Sequence, residues 1–188
     1  MKRNELIRLK EKLLTPEENK ELKELLGRRE IQYVDILEFD KKIGGVGIHN
    51  IDDGSNGRYD VRDRDIFRPI QYIKMYLEHQ TLWLTRGIVQ MCGLHLESVL
   101  KRITHQDRFP LGQAVSNFIA VRKLGNEITY DLKTIVALYN NAKHKVDHPK
   151  DTHLFSIEDA LNCYIVTRKL SNRILPLVKI YTQNSVWL

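Results

Sequence analysis

The stretch YNNAKHKVDH, residues 139–148, gathers side chains able to handle protons and bind oxyanions. Asn140 and His144 stand four positions apart, which on a helix places them on adjacent turns of one face. A histidine suits general acid or base work there, because its ordinary pKa lies near neutrality. The same residues also fit a structural role, since polar side chains near a helix C-terminus satisfy its last carbonyls and a histidine is favoured by the dipole. His144, His148 and His153, with Asp147 between them, are metal-ligand types, but the chain has no HExxH motif and Pro149 interrupts the spacing. No metal and no cofactor is expected.

These residues need a helix to hold them, and the sequence supplies one over residues 128–144. At about 100° per residue its apolar stripe centres on Ile135, Tyr139 and Ala142, with Leu132 and Val136 beside it. Lys133, Ala137, Asn140 and His144 form a column along one flank, so Tyr139 faces the core and Asn140 with His144 sits at its rim. Pro149 breaks the chain, and Ser156 with Asp159 restarts it in a helix whose Ile157, Ala160, Leu161, Tyr164 and Ile165 face inward as far as Pro176.

Upstream, the apolar residues from Ile70 to Ile103 follow a helical face without an intervening proline. Unbroken, such a helix would run about 50 Å, so Gly87 and Gly93 mark either a bend or a close helix contact. A shorter helix carries Ala114, Val115, Phe118, Ile119 and Val121. At the beginning of the chain Leu6, Leu9 and Leu13 define one amphipathic helix, and Thr15-Pro16-Glu17-Glu18 opens a second that carries Leu22, Leu25 and Leu26 and stops at Gly27. The expected architecture is all-α: an up-and-down helical bundle built on one long helix (66–188), an N-terminal helical hairpin (1–40) and an irregular Gly-rich loop (41–65). Residues 31–39 fit a short strand or a helical turn equally well. The hairpin's narrow leucine stripe needs cover, from the body or from a second copy of the chain.

Composition narrows the class. Residues 66–188 carry 16 basic against 9 acidic side chains, within a net charge of +6 for the chain. A basic body attracts phosphate-rich partners over a Debye length of about 8–10 Å. Cys92 and Cys163 have no disulfide or CxxC spacing and read as buried free thiols in a reducing compartment. The first residues lack the apolar core of a signal peptide and no run approaches a membrane span, so a cytoplasmic, non-membrane protein is expected. The glycines of GGVG, residues 44–47, lack the rest of a phosphate-binding loop. Phe67, Tyr72, Tyr76 and Trp83 can stack on bases, although at helical spacing such aromatics more often pack in a core.

The segments TRGIVQMCGLHLESVLKRI and FSIEDALNCYIVTRKLSNRIL, with a helix between them ending in an Asn followed four residues on by His, resemble the HEPN superfamily of helical-bundle domains found in prokaryotic defence and toxin systems. The resemblance spans roughly residues 66–176. It implies a metal-independent ribonuclease that dimerises and places an Arg-Asn-x-x-x-His motif from each copy at a shared cleft. Asn140 and His144 match that motif, whereas the arginine position is Tyr139, which has no fixed charge to hold a phosphate. Lys143, Lys145, Arg122 and Lys133 are the candidate RNA-binding residues that would make up the charge. The expected partners are RNA and a second copy of the chain. The alternative is a noncatalytic helical interaction module that joins a larger complex through its N-terminal hairpin.

Overall fold

The computed structural model describes residues 3–43, 64–78, 84–105, 107–122, 126–144 and 155–175. They form α1 (Arg3–Leu13), α2 (Pro16–Leu26), α3 (Tyr33–Lys42), α4 (Arg64–Glu78), α5 (Thr85–Thr104), α6 (Leu111–Arg122), α7 (Asn126–His144) and α8 (Ile157–Ile174), with no strand among the described residues. The all-α bundle and its N-terminal helical pair are as expected from periodicity. Of the Gly-rich loop, residues 44–63, GGVG included, lie outside the described residues.

Helix α5 is the centre of the bundle and packs against α4, α6, α7 and α8. Its Ile88, Val89, Cys92, Leu96, Val99 and Leu100 are all buried and form one broad apolar face of the helix. The apolar track from Ile70 to Ile103 is divided between α4 and α5, which run antiparallel. Tyr76, late in α4, lies against Gly87 at the start of α5, and the Ile66 carbonyl, early in α4, meets His95 farther along α5. Of the two glycines of that track, Gly93 marks a close helix contact, with Tyr139, whereas a side chain at Gly87 would meet Tyr76 only at ordinary van der Waals distance.

Thr15 and Glu18 form the capping box that starts α2, and Ser156 and Asp159 form that of α8. The leucine stripe of α1 is covered within the chain. Leu6, Leu9 and Leu13 are buried in the main core, and α1 packs on α8 and α7. Ion pairs fix the docking: Lys12 Nζ lies 2.7 Å from the fully buried Asp131 and 3.0 Å from Glu127, and Arg3 Nε lies 2.9 Å from Asp159. Burial works against the Lys12 ammonium, yet its hydrogen bonds to Asp131 and Glu127 hold its pKa above the ordinary lysine value.

Residues 33–42 settle into a helix, α3, whose buried Ile36, Phe39 and Asp40, with Ile43 directly after its end, follow helical spacing. Asp40 accepts two hydrogen bonds from the buried Arg168 of α8, at 2.7 Å from Nε and 3.1 Å from Nη2. Nearby, His95 bridges α4 and α8 at 2.7 Å to both the Ile66 carbonyl and Ser171 Oγ. A carbonyl only accepts, so Nδ1 carries the proton and Nε2 receives the hydroxyl of Ser171. Burial, aided by the charge of Arg168 and opposed by the bond to Ile66, lowers the His95 pKa to about 4.

Cys92 and Cys163 are buried free thiols, as read from the sequence. Burial and the adjacent Cys163 push the Cys92 thiol well up, which keeps it protonated and unreactive. Ile157, expected to face inward, is instead 38% exposed, and Val121 of the α6 helix is 69% exposed. Val121 lies in the last turn of α6 at the edge of its buried face, and Ile157 directly follows the cap of α8. No helix among the described residues is long and apolar enough to cross a membrane.

Candidate functional site at the C-terminal end of helix α7

Helix α7 buries Asp131, Leu132, Thr134, Ile135, Leu138, Tyr139 and Ala142 and leaves Lys133, Asn140 and Lys143 exposed. His144 is its last residue. Asn140 and the position of His144 therefore share the helix end, one turn apart, with Lys143 beside them. Lys143 Nζ lies 5.7 Å from the centre of the Tyr139 ring, within cation–π range.

Tyr139 is only 6% exposed, as its place in the stripe demanded. Its ring rests on the backbone of α5 at Gly93. Burial raises the pKa of its phenol, and the charge of Glu97 raises it further, so the side chain is neutral. The position where the family resemblance expects an arginine is thus filled by an uncharged ring serving helix–helix packing.

A guanidinium nevertheless reaches this helix end. Arg86 of α5 donates from Nε to the Ala142 carbonyl at 2.6 Å, and Gln90, one turn on, donates to the same oxygen at 2.8 Å. The last four carbonyls of a helix lack intrahelical partners and form the negative end of its dipole. A cation plus an amide meets both needs. Arg86, Gln90 and Gly93 follow i, i+4, i+7 spacing, so one stripe of α5 receives Tyr139 and supplies Arg86. Nothing local in the sequence pairs Arg86 with this helix end, because 56 positions separate it from Ala142.

The other expected cations are spread out. Gly112 of α6 lies beside Val136 of α7, within van der Waals reach of its methyl. The two helices therefore run antiparallel, and Arg122, at the end of α6, belongs with the start of α7. At 1.5 Å per residue that is about 27 Å from His144, too far to serve the same phosphate within one chain. Lys133 is on the expected flank but about 16 Å along the axis from His144. Lys145 lies outside the described residues, as do Asp147, His148 and His153. Among the described residues no group of His, Cys, Asp or Glu is placed to hold a metal ion. Of the aromatics weighed for stacking, Phe67 is buried, Tyr72 is exposed, Tyr76 is half-buried against Gly87, and Trp83 lies outside the described residues.

A groove of about 660 Å³ lies elsewhere, lined by Arg3, Arg28, Arg29 and the start of α8. Arg3 and Arg28 are held there in ion pairs with Asp159 and Asp35, and the groove's lining, which includes Glu30 and Glu158, contains none of the site residues read from the sequence. The α7 end is the better candidate. It offers an amide, a histidine position and two cations at one rim, a set suited to binding a phosphate and moving a proton. No protein-family model, curated protein or solved structure matches this chain.

Proposed function

We propose that the chain is a HEPN-like helical domain that binds or cleaves RNA without a metal, working as a cytoplasmic homodimer in a prokaryotic defence or toxin setting. The observation that carries the reading is the end of α7: Asn140 exposed one turn before His144, with Tyr139 turned into the core and Lys143 and Arg86 at the same rim. In the cleaving form, His144 takes the proton of a ribose 2′-hydroxyl, whose oxygen then attacks the adjacent phosphorus. The bond from phosphorus to the 5′-oxygen breaks, and that oxygen takes a proton from water, giving a 2′,3′-cyclic phosphate and a 5′-hydroxyl, while His144 returns its proton to the solvent. Asn140 helps bind the reacting group, and Lys143 offsets phosphate charge.

Two copies would bring two such ends to one cleft. Because the leucine stripe of α1 is covered within the chain, this dimer reading rests on the exposed flank of α7. A second reading, a noncatalytic interaction module, draws support from Tyr139, which removes the motif's fixed charge. Incubation of the purified protein and His144→Ala with RNA, with and without chelator, separates them. Cleavage by wild type that survives chelation and disappears in the variant supports the enzyme. RNA binding without cleavage supports a binding relative, and neither binding nor cleavage at low salt leaves the interaction module.

A further inference from the structure

We infer that the groove between the end of α2 and the start of α8 binds a short peptide segment in which one large apolar side chain is flanked by an acidic and a basic residue. The groove encloses about 660 Å³, a volume typical of clefts that hold a ligand. Its floor is apolar. Leu26 and Ile31 are half-buried and pack against the main core, while Ile157, the first residue of α8, is 38% exposed. A β-branched side chain at that position contributes little to the helix. What it offers is apolar area beside two further apolar side chains.

The main chain along the groove is open as well. Between α2 and α3 the N–H and C=O groups of Arg29, Glu30 and Ile31 enter no backbone hydrogen bond among the described residues. They present donors and acceptors that a peptide main chain can pair with, while neighbouring pockets read its side chains. Charge decides which side chains fit. Arg3 and Arg28 are engaged by Asp159 and Asp35, and Glu158 by Arg3. Arg29 and Glu30, both exposed in the lining, have neither ion pair nor hydrogen bond among the described residues. One unopposed cation beside one unopposed anion complements a partner of mixed charge. A nucleic-acid backbone would instead meet the carboxylates of Glu30 and Glu158 with a single free arginine to offset them. The site is therefore independent of the RNA reading of the α7 end.

The test is an NMR titration of the isotope-labelled full chain with two capped peptides, acetyl-Gly-Lys-Leu-Asp-Gly-amide and its reverse order, acetyl-Gly-Asp-Leu-Lys-Gly-amide. One order is expected to give saturable amide shifts confined to the groove residues, with a Kd of about 1 mM or below. Replacing the peptide's leucine by alanine, or Ile157→Ala in the protein, weakens binding by about 5-fold or more. Arg29→Gln weakens it by about 2- to 5-fold, and that loss vanishes when the peptide's aspartate is already asparagine. Glu30→Gln behaves likewise towards the peptide's lysine and its glutamine replacement. The three protein positions are exposed, so melting temperatures stay within about 2 °C of wild type. No saturable shift with either peptide up to about 10 mM, or binding that Ile157→Ala and the two charge variants leave unchanged, overturns the inference. So do shifts of the same residues on raising the protein concentration alone, which give the groove to a second copy, and stronger shifts there with a single-stranded RNA than with either peptide.

Discussion

The ring of Tyr139 occupies the space that a side chain at residue 93 would fill: a β-carbon on Gly93 would stand 2.1 Å from Cδ2 and 2.4 Å from Cγ of Tyr139. No rotation of the ring relieves this, because Cβ of Tyr139 is also within 2.8 Å. Gly93→Ala must therefore push α5 and α7 apart. Overpacking of this kind costs about 1–3 kcal/mol, against roughly 1 kcal/mol gained by replacing a helical glycine, so a net loss of stability is expected. Urea denaturation measures it, and a variant as stable as wild type would mean that the helices are not in contact there.

Stability and activity should separate along α7. Tyr139→Ala opens a cavity on α5 and is expected to cost about 3–5 kcal/mol. Asn140 is exposed, so Asn140→Ala should stay within about 0.5 kcal/mol of wild type while weakening RNA cleavage. Melting temperatures beside an RNA assay read both. Equal destabilisation by the two variants would make Asn140 a structural residue.

Much of this arrangement was legible in the sequence, and what was not has specific causes. The capping pairs Thr15/Glu18 and Ser156/Asp159, and the inward aspect of Tyr139, follow from spacings of three and four residues. Helix α3 stayed ambiguous because Asp40 sits on its buried stripe, where a charge breaks the apolar period. Its reason for being there is Arg168, 128 positions away. The division between α4 and α5 has no local marker, since HQTLW between them holds neither proline nor glycine. Arg86 escaped for the same reason as Asp40: its partner is distant along the chain and no short-range pattern announces it.

Acid should weaken the fold through His95. Its pKa of about 4 in the folded chain lies below the ordinary 6.5, so the unfolded chain takes up the proton first as pH falls. Stability is then lost progressively from about pH 6.5 down to about pH 4, by roughly 3 kcal/mol in all. Urea midpoints at about pH 7 and about pH 5 should differ more for wild type than for His95→Gln, which has nothing to titrate there. Parallel pH profiles would mean that His95 is not the group responsible.

The Asp40–Arg168 pair should be strongly non-additive. Asp40→Leu leaves a guanidinium buried without its carboxylate and is expected to cost about 3–5 kcal/mol. Removing Arg168 as well, as in Asp40→Leu with Arg168→Met, should recover a substantial part of that loss. A double-mutant cycle on unfolding free energies measures the coupling. Simple additivity would show that the two side chains do not depend on each other.

That mutual dependence also constrains how such a sequence can change over generations. Each partner is tolerable in the interior only while the other is present, so a lineage replacing one first passes through a chain close to its stability threshold. The two positions should be kept together or lost together. Helix α3 and helix α8, although 128 positions apart at this pair, are in that sense a single unit of inheritance.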